Sequence, residues 1–282
     1  VVGLCGATTC TGASAKPGSV AVLAGKGDGT FASATVVKSG IFPLSLLLAD
    51  FTGDGQLDIA VGDYAASGVT VLTGNGSGAF PGSTTFGIAA EPDFIGYGVF
   101  TNDGIPDLVV LNTSGGLASI LYGQGSGRFG AATAYAAANT PTTFAIADLN
   151  ADGQLDLALQ DLYTGNLEFV LGHNGSTFLA PRGYLVDPGP ALVAAGDFNG
   201  DGFQDFILAS RQSGTLTLFL GAGGGSFYSS LSVNLPPGIT PTALATGDFN
   251  NDGKLDLLAG TTVGLYILLG SETGFAAPQE AS

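Results

Sequence analysis

Positive charge is scarce in this chain. Lys and Arg together number 7 against 23 acidic residues, so the 282-residue sequence carries a formal charge of −16. Phosphate backbones and anionic lipid surfaces are gripped by Lys and Arg, so nucleic acid and such membranes are excluded as partners. No apolar run reaches the ~18 residues of a membrane-spanning helix, so no membrane insertion is expected. No cationic segment leads into an apolar one at the start, and the chain reads as a mature product whose signal has been removed. Tryptophan is absent and histidine occurs once, at His173. Imidazole chemistry therefore has one candidate, and the sequence offers it no nucleophile or acid partner. No Gly-x-Ser-x-Gly elbow sits between a strand and a helix either. Cysteine occurs twice, at Cys5 and Cys10. A disulfide between them suits an oxidising compartment; two free buried thiols are the alternative.

Apolar residues make up 45% of the chain and glycines number 47, a composition for packed strands and tight turns rather than disorder. The glycines help mark a repeated loop. Asp197-Phe-Asn-Gly-Asp-Gly-Phe-Gln-Asp205 puts acidic or amide side chains at positions 1, 3, 5 and 9, with glycine at position 6. The string recurs from Asp148 to Asp156 and from Asp248 to Asp256, and from Asp50 to Asp58 with Thr52 at position 3. A fifth copy, residues 99–107, has Val99 in place of the first carboxylate and Pro106 near its end.

One such loop is explained by an Asx-turn with a solvated carboxylate. Four copies with three carboxylates each are not, because uncompensated like charges a few ångströms apart repel. A hard cation with six to eight oxygen ligands answers that repulsion, and the tight octahedron of Mg²⁺ suits these loops less well than Ca²⁺. The candidate ligand sets are Asp50, Thr52, Asp54, Gln56 and Asp58; Asp148, Asn150, Asp152, Gln154 and Asp156; Asp197, Asn199, Asp201, Phe203 and Asp205; and Asp248, Asn250, Asp252, Lys254 and Asp256. Asp103 and Asp107 form a weak or empty fifth set. About four structural Ca²⁺ ions are expected, bringing the charge to about −8 at the usual +2 each.

Spacing gives the architecture. Position 1 falls at residues 50, 99, 148, 197 and 248, in steps of 49, 49, 49 and 51. Glycine-rich turns ending in Phe31, Phe80, Phe129, Phe178, Phe227 and Phe275 keep the same beat. A fixed period of this size signals a repeat protein. Within one repeat, short β-forming runs broken by Gly, Asn and Ser predict strands over Pro43–Asp50, Leu57–Val61, Gly68–Thr73 and Thr84–Ile88. Six repeats of four antiparallel strands predict an all-β chain, a β-propeller forming a single domain over 1–282. The periodic phenylalanines are expected to pack between blades. An open solenoid of sheets is the rival arrangement.

Residues 1–17 stand apart as an atypical N-terminal segment. Register places Val1 at the first loop position, with Cys5 replacing the position-5 aspartate. A Cys5–Cys10 disulfide would then staple the turn that calcium ties elsewhere. The first repeat lacks the strand that should precede its loop, leaving an inner edge to be covered by the N-terminal segment folding back, by a strand from a neighbouring subunit, or by a part of the precursor outside this chain.

The Asp-Phe-Asn-x-Asp-Gly-x-x-Asp loops, each after an apolar strand and before Leu-Asp-Leu or its like, resemble the FG-GAP/VCBS repeats of integrin α-chain heads and of integrin-like propeller lectins. The resemblance covers residues from about 18 to 280 and implies calcium held between the innermost strand of a blade and the next. Family members are commonly seven-bladed, whereas this sequence supports six repeats.

The expected function is that of a secreted, calcium-stabilised binding module, lectin-like or adhesive, recognising a glycan or an extracellular protein. A subunit of a surface layer or filament, self-assembling through the first blade, is the alternative; a polysaccharide-acting enzyme is a third reading, and the chain is expected not to be an enzyme. The candidate ligand residues are Tyr64, Tyr163 and Arg211, which share one register just after the second strand of their repeats.

Overall fold

The computed structural model describes residues 2–4, 18–64, 66–101, 103–161, 163–184, 186, 191–271 and 274–281. Cys5 and Cys10 lie outside them, so the disulfide falls outside the described residues. Among those residues there is no helix, and hence none long and apolar enough to cross a membrane.

Each repeat folds as a meander. The second repeat forms a sheet from Pro43–Ala49, Asp58–Asp63, Gly68–Thr73 and Gly82–Gly87, antiparallel and in chain order. These strands match the expected ones to within two residues. Four further sheets begin at Phe94, Pro141, Ala191 and Pro241 and have the same order. The propeller-type, all-β reading is therefore observed sheet by sheet.

The second strand of each of these sheets, directly after the loop, is the deepest. Asp58–Asp63, Asp107–Asn112, Asp156–Asp161 and Asp205–Ser210 are buried at every position. A strand covered on both faces needs a near-continuous apolar run rather than an alternating one, and Ile59-Ala-Val61 and Leu108-Val-Val-Leu111 supply it.

The chain divides into two compact units, Val1–Tyr135 and Ala136–Ser282. In the first unit, Val20, Ile59, Val61 and Leu72 join the first sheet to the second, and Phe51, Val69, Leu108 and Leu121 join the second to the third. In the second unit, Leu149, Phe169, Phe206 and Leu208 join the fourth sheet to the fifth, and Phe198, Leu218, Leu257 and Leu268 join the fifth to the sixth. Apolar burial of this kind stabilises by roughly 25 cal/mol per Å². Among the described residues, these core clusters lie between sheets.

Four of the six turn phenylalanines take part in these seams, as expected. Phe80, Phe129, Phe227 and Phe275 all pack against the core clusters between sheets. Phe31 is 62% exposed.

The first sheet has three strands among the described residues: Val2–Leu4, Gly18–Val22 and Thr35–Ile41. A shortened first blade was expected, but register had assigned Val1–Thr9 to a loop. Instead Val2–Leu4 pairs with Ser19–Ala21 as a strand. The stretch contains no carboxylate to organise a loop, and Val2 is a β-branched strand former.

Candidate metal centres

The four complete loops follow one backbone path. Position 6 is a left-handed glycine in each, with φ of 83° at Gly55, 85° at Gly153, 88° at Gly202 and 85° at Gly253. Position 4 is left-handed as well, at Gly53, Ala151, Gly200 and Asn251, with φ between 59° and 78°. Glycine and asparagine tolerate this region most easily, and Ala151 bears the largest strain.

Position 1 organises the turn. Asp50 Oδ2 accepts from Gly55 N–H at 2.8 Å, and the same bond forms at Asp148, Asp197 and Asp248 with lengths of 2.8–2.9 Å. Oδ1 accepts from the position-5 N–H at 3.1–3.2 Å in all four. The position-5 carboxylate accepts from the position-7 N–H at 2.8–2.9 Å, an Asx-turn, through Asp54, Asp152, Asp201 and Asp252. At position 3 the amides of Asn150, Asn199 and Asn250 donate to that same carboxylate. The Gly55 N–H holds Asp50 below the usual carboxylate range, and the Asn250 amide does the same for Asp252.

Position 9 does something different. Asp58, Asp107, Asp156, Asp205 and Asp256 are fully buried. One oxygen accepts from the position-2 N–H at 2.7–2.9 Å, drawing the loop onto the sheet. The other accepts from Gly74, Gly123, Gly172, Gly221 or Gly270 at 2.6–2.8 Å. Each of these glycines opens the turn that ends in the periodic phenylalanine. The carboxylate is thus a latch between the Asp-rich loop and the Phe turn of the same repeat. Burial pushes Asp156 up to about 6 against the pull of the Gly172 and Leu149 N–H groups; Asp107 and Asp205 are raised from the same cause.

The latch glycines were not picked out from sequence. A Cβ on Gly74 would lie 2.2 Å from the Leu57 carbonyl oxygen, and the equivalents at Gly123, Gly172, Gly221 and Gly270 meet the same backbone oxygen at 2.2–2.6 Å. Their signal was present as a spacing: 16 residues beyond the position-9 aspartate in four repeats and 14 in the last. A second series also went unread. Asp63, Asn112, Asp161 and Ser210 end the second strands, are buried, and accept N–H groups from adjoining backbone.

The loop at 99–107 keeps its latch and its Asx-turn, Ile105 N–H to Asp103 at 2.9 Å, but the Val99 side chain has no oxygen to accept the loop N–H groups.

The donor set at positions 1, 3 and 5 fits a hard cation. It is oxygen only, two carboxylates with an amide or hydroxyl between them on one turn, with position 5 exposed in all four loops and positions 1 and 3 half-buried in three of them. Among the described residues no three carboxylates or imidazoles already converge on one point, since positions 1 and 5 turn onto loop N–H groups. Position 9 has three of its about four lone-pair directions engaged at Asp58, by Phe51, Thr52 and Gly74 N–H groups.

Of the ligand candidates, Tyr163 is 83% exposed. Tyr64 is half-buried and donates its N–H to the Phe42 carbonyl at 3.0 Å. Arg211 donates from its guanidinium to the Thr242 carbonyl of the next sheet at 3.2 Å.

Residues 12–61, 100–159 and 197–259, more than half of the chain, match the profile of the FG-GAP-like repeat. The chain belongs to the FG-GAP-like repeat family. No curated protein sequence matches it. Solved structures resembling this FG-GAP-like repeat protein include a putative 6-phosphogluconolactonase from Bacteroides uniformis, at TM-score 0.61 and 15% identity, over 89% of this chain and 76% of that one. A virginiamycin B lyase from Staphylococcus aureus matches at 0.55 and 13%, over 84% and 74%. BBS1N, solved in complex with ARL6DN, matches at 0.54 and 15%, over 85% and 68%. At these identities the likeness is one of fold.

That likeness corrects one expectation. The chain was expected not to be an enzyme, yet proteins named as a lactonase and a lyase share the fold of this FG-GAP-like repeat chain. The propeller-type scaffold therefore gives no ground for excluding catalysis.

Proposed function

We propose that this FG-GAP-like repeat protein is a calcium-stabilised binding module. The observation that carries the reading is the common path of the four complete loops, each presenting Asp, Asn or Thr, and Asp at positions 1, 3 and 5 of one turn. In each loop those three side chains hold one Ca²⁺, which neutralises carboxylates that otherwise repel; the position-7 carbonyl and the position-9 carboxylate lie within the same short loop. The ion's role is structural. The module works outside the cell, where calcium levels suit sites of this kind.

Its partner is a protein or a glycan. The complex of BBS1N with ARL6DN is an instance of this fold engaging a protein, and the exposed Tyr163 on a turn between strands is a candidate contact. Self-assembly is a further mode of partnership.

The test is a calorimetric calcium count on variants. Asp201→Ala is expected to remove one equivalent, because it takes a carboxylate from a complete loop. Asp103→Ala is expected to leave the count unchanged, because its loop already lacks the first carboxylate. An unchanged count in Asp201→Ala would overturn the assignment.

A further inference from the structure

We propose that the outer edges of the first and second sheets are docking grooves for acidic peptides in extended conformation. One groove has a volume of about 600 Å³ and is walled by residues 85–89 on one side and 129–132 on the other. The other, of about 450 Å³, repeats it one period earlier, between residues 35–37 and 77–81. All four walls belong to the unit Val1–Tyr135.

The walls show which part of each strand is open. Successive residues of a strand point to opposite faces of its sheet. A cavity touching residues 85, 86 and 87 in succession therefore lies along the edge of the strand Gly82–Gly87 rather than over one face. Among the described residues this strand is the last of its sheet, paired with Gly68–Thr73 alone. Thr35–Ile41, which walls the smaller groove, is likewise last in its sheet. An edge strand presents a row of N–H and C=O groups that an extended peptide pairs with as an added strand. The floor of the larger groove is apolar. Phe86 and Phe129 meet edge-on at 5.3 Å between ring centroids, and Ile88 and Ala132 pack beside them, partly buried. Such a floor takes the alternate side chains of the added strand.

Charge sets the partner. The chain carries 23 acidic residues against 7 basic ones, yet residues 31–43, 74–90 and 122–139 contain no Asp or Glu. Those stretches hold the walls of both grooves and two cations, Lys38 and Arg128. Lys38 Nζ donates to Ser83 Oγ on the edge strand at 2.9 Å. Arg128 is exposed and adjoins Phe129. An acid-free, basic rim on an acidic protein steers an acidic partner to itself. The same rim on a second copy has the wrong sign. A sugar polymer would answer the charge but not the strand-spaced row of backbone groups, so the geometry favours a peptide.

This docking role rests on the binding-module reading but not on calcium occupancy of the loops. Calorimetric titration of the intact chain, in calcium, with an octapeptide alternating Glu and Val tests it. The peptide is expected to bind at two equivalents, one per groove, with an affinity that falls as salt rises. Its backbone N-methylated form, which cannot pair with a strand edge, and its Lys-for-Glu form are expected not to bind. Ala131→Trp and Ala79→Trp, which fill the larger and the smaller groove, are each expected to remove one equivalent. Both positions are exposed, and an unchanged melting curve confirms that each variant folds. Polygalacturonate, an anionic polysaccharide, is expected not to displace the peptide. Absence of peptide binding, equal binding of either altered peptide, an unchanged count in either variant, or displacement by polygalacturonate would each overturn the proposal. The calcium count of the intact chain, measured in parallel, separates a failure of the grooves from a failure of the calcium-stabilised module.

Discussion

Asp205→Ala is expected to destabilise the protein strongly, and to do so whether or not calcium is present. Its carboxylate is fully buried and accepts from Phe198 and Gly221 N–H groups, both at 2.8 Å. Alanine leaves both donors buried without a partner, at roughly 1–3 kcal/mol each, for a total of about 2–6 kcal/mol. The control lies in the fifth loop. Asp107 makes the same two bonds, at 2.8 and 2.7 Å, in a loop without a first carboxylate. Asp107→Ala should therefore lose a similar amount although no cation is assigned there. Denaturant unfolding of both variants in chelator measures the effect. A loss that vanishes in chelator would show that position 9 acts through the metal alone.

Gly74→Ala is expected to have the second-largest effect. The new methyl would overlap the Leu57 carbonyl oxygen, a backbone atom held in the sheet. Relief requires the turn to move away, which stretches the 2.7 Å bond from Gly74 N–H to Asp58. Overpacking strain of about 1–3 kcal/mol then adds to the weakened latch. Gly87→Ala is the matched control: nothing lies within 4 Å of its would-be Cβ, and it ends an exposed strand. It should change stability by no more than about 0.5 kcal/mol. Equal effects in the two variants would remove the steric explanation.

Much of this was legible because it is periodic. A nine-residue string at a 49-residue spacing announces loops, and the β-forming runs on either side announce strands. The division of labour inside the loop was not legible. All three aspartates look alike in sequence, yet Asp50 is half-buried and Asp58 is fully buried. The difference comes from strand register, which puts position 9 at the start of a strand covered on both faces. The latch glycines were hidden for a related reason: a glycine before a glycine-rich turn reads as turn chemistry. Only the neighbouring Leu57 carbonyl shows that Gly74 answers to a close approach. The exposed state of Phe31 was hidden too, because its five periodic equivalents share its sequence signature but not its surroundings.

The central claim is that the complete loops bind calcium in the native fold and stabilise it. The most direct measurement is a melting curve of the intact chain in calcium and again in chelator after verified metal removal. Each loop that binds only the native state adds about 2.7 kcal/mol at a hundredfold excess of Ca²⁺ over Kd. At roughly 2–4 °C per kcal/mol, four such loops predict a fall of at least about 20 °C on chelation, reversed when calcium is restored. An unchanged melting temperature would contradict the claim.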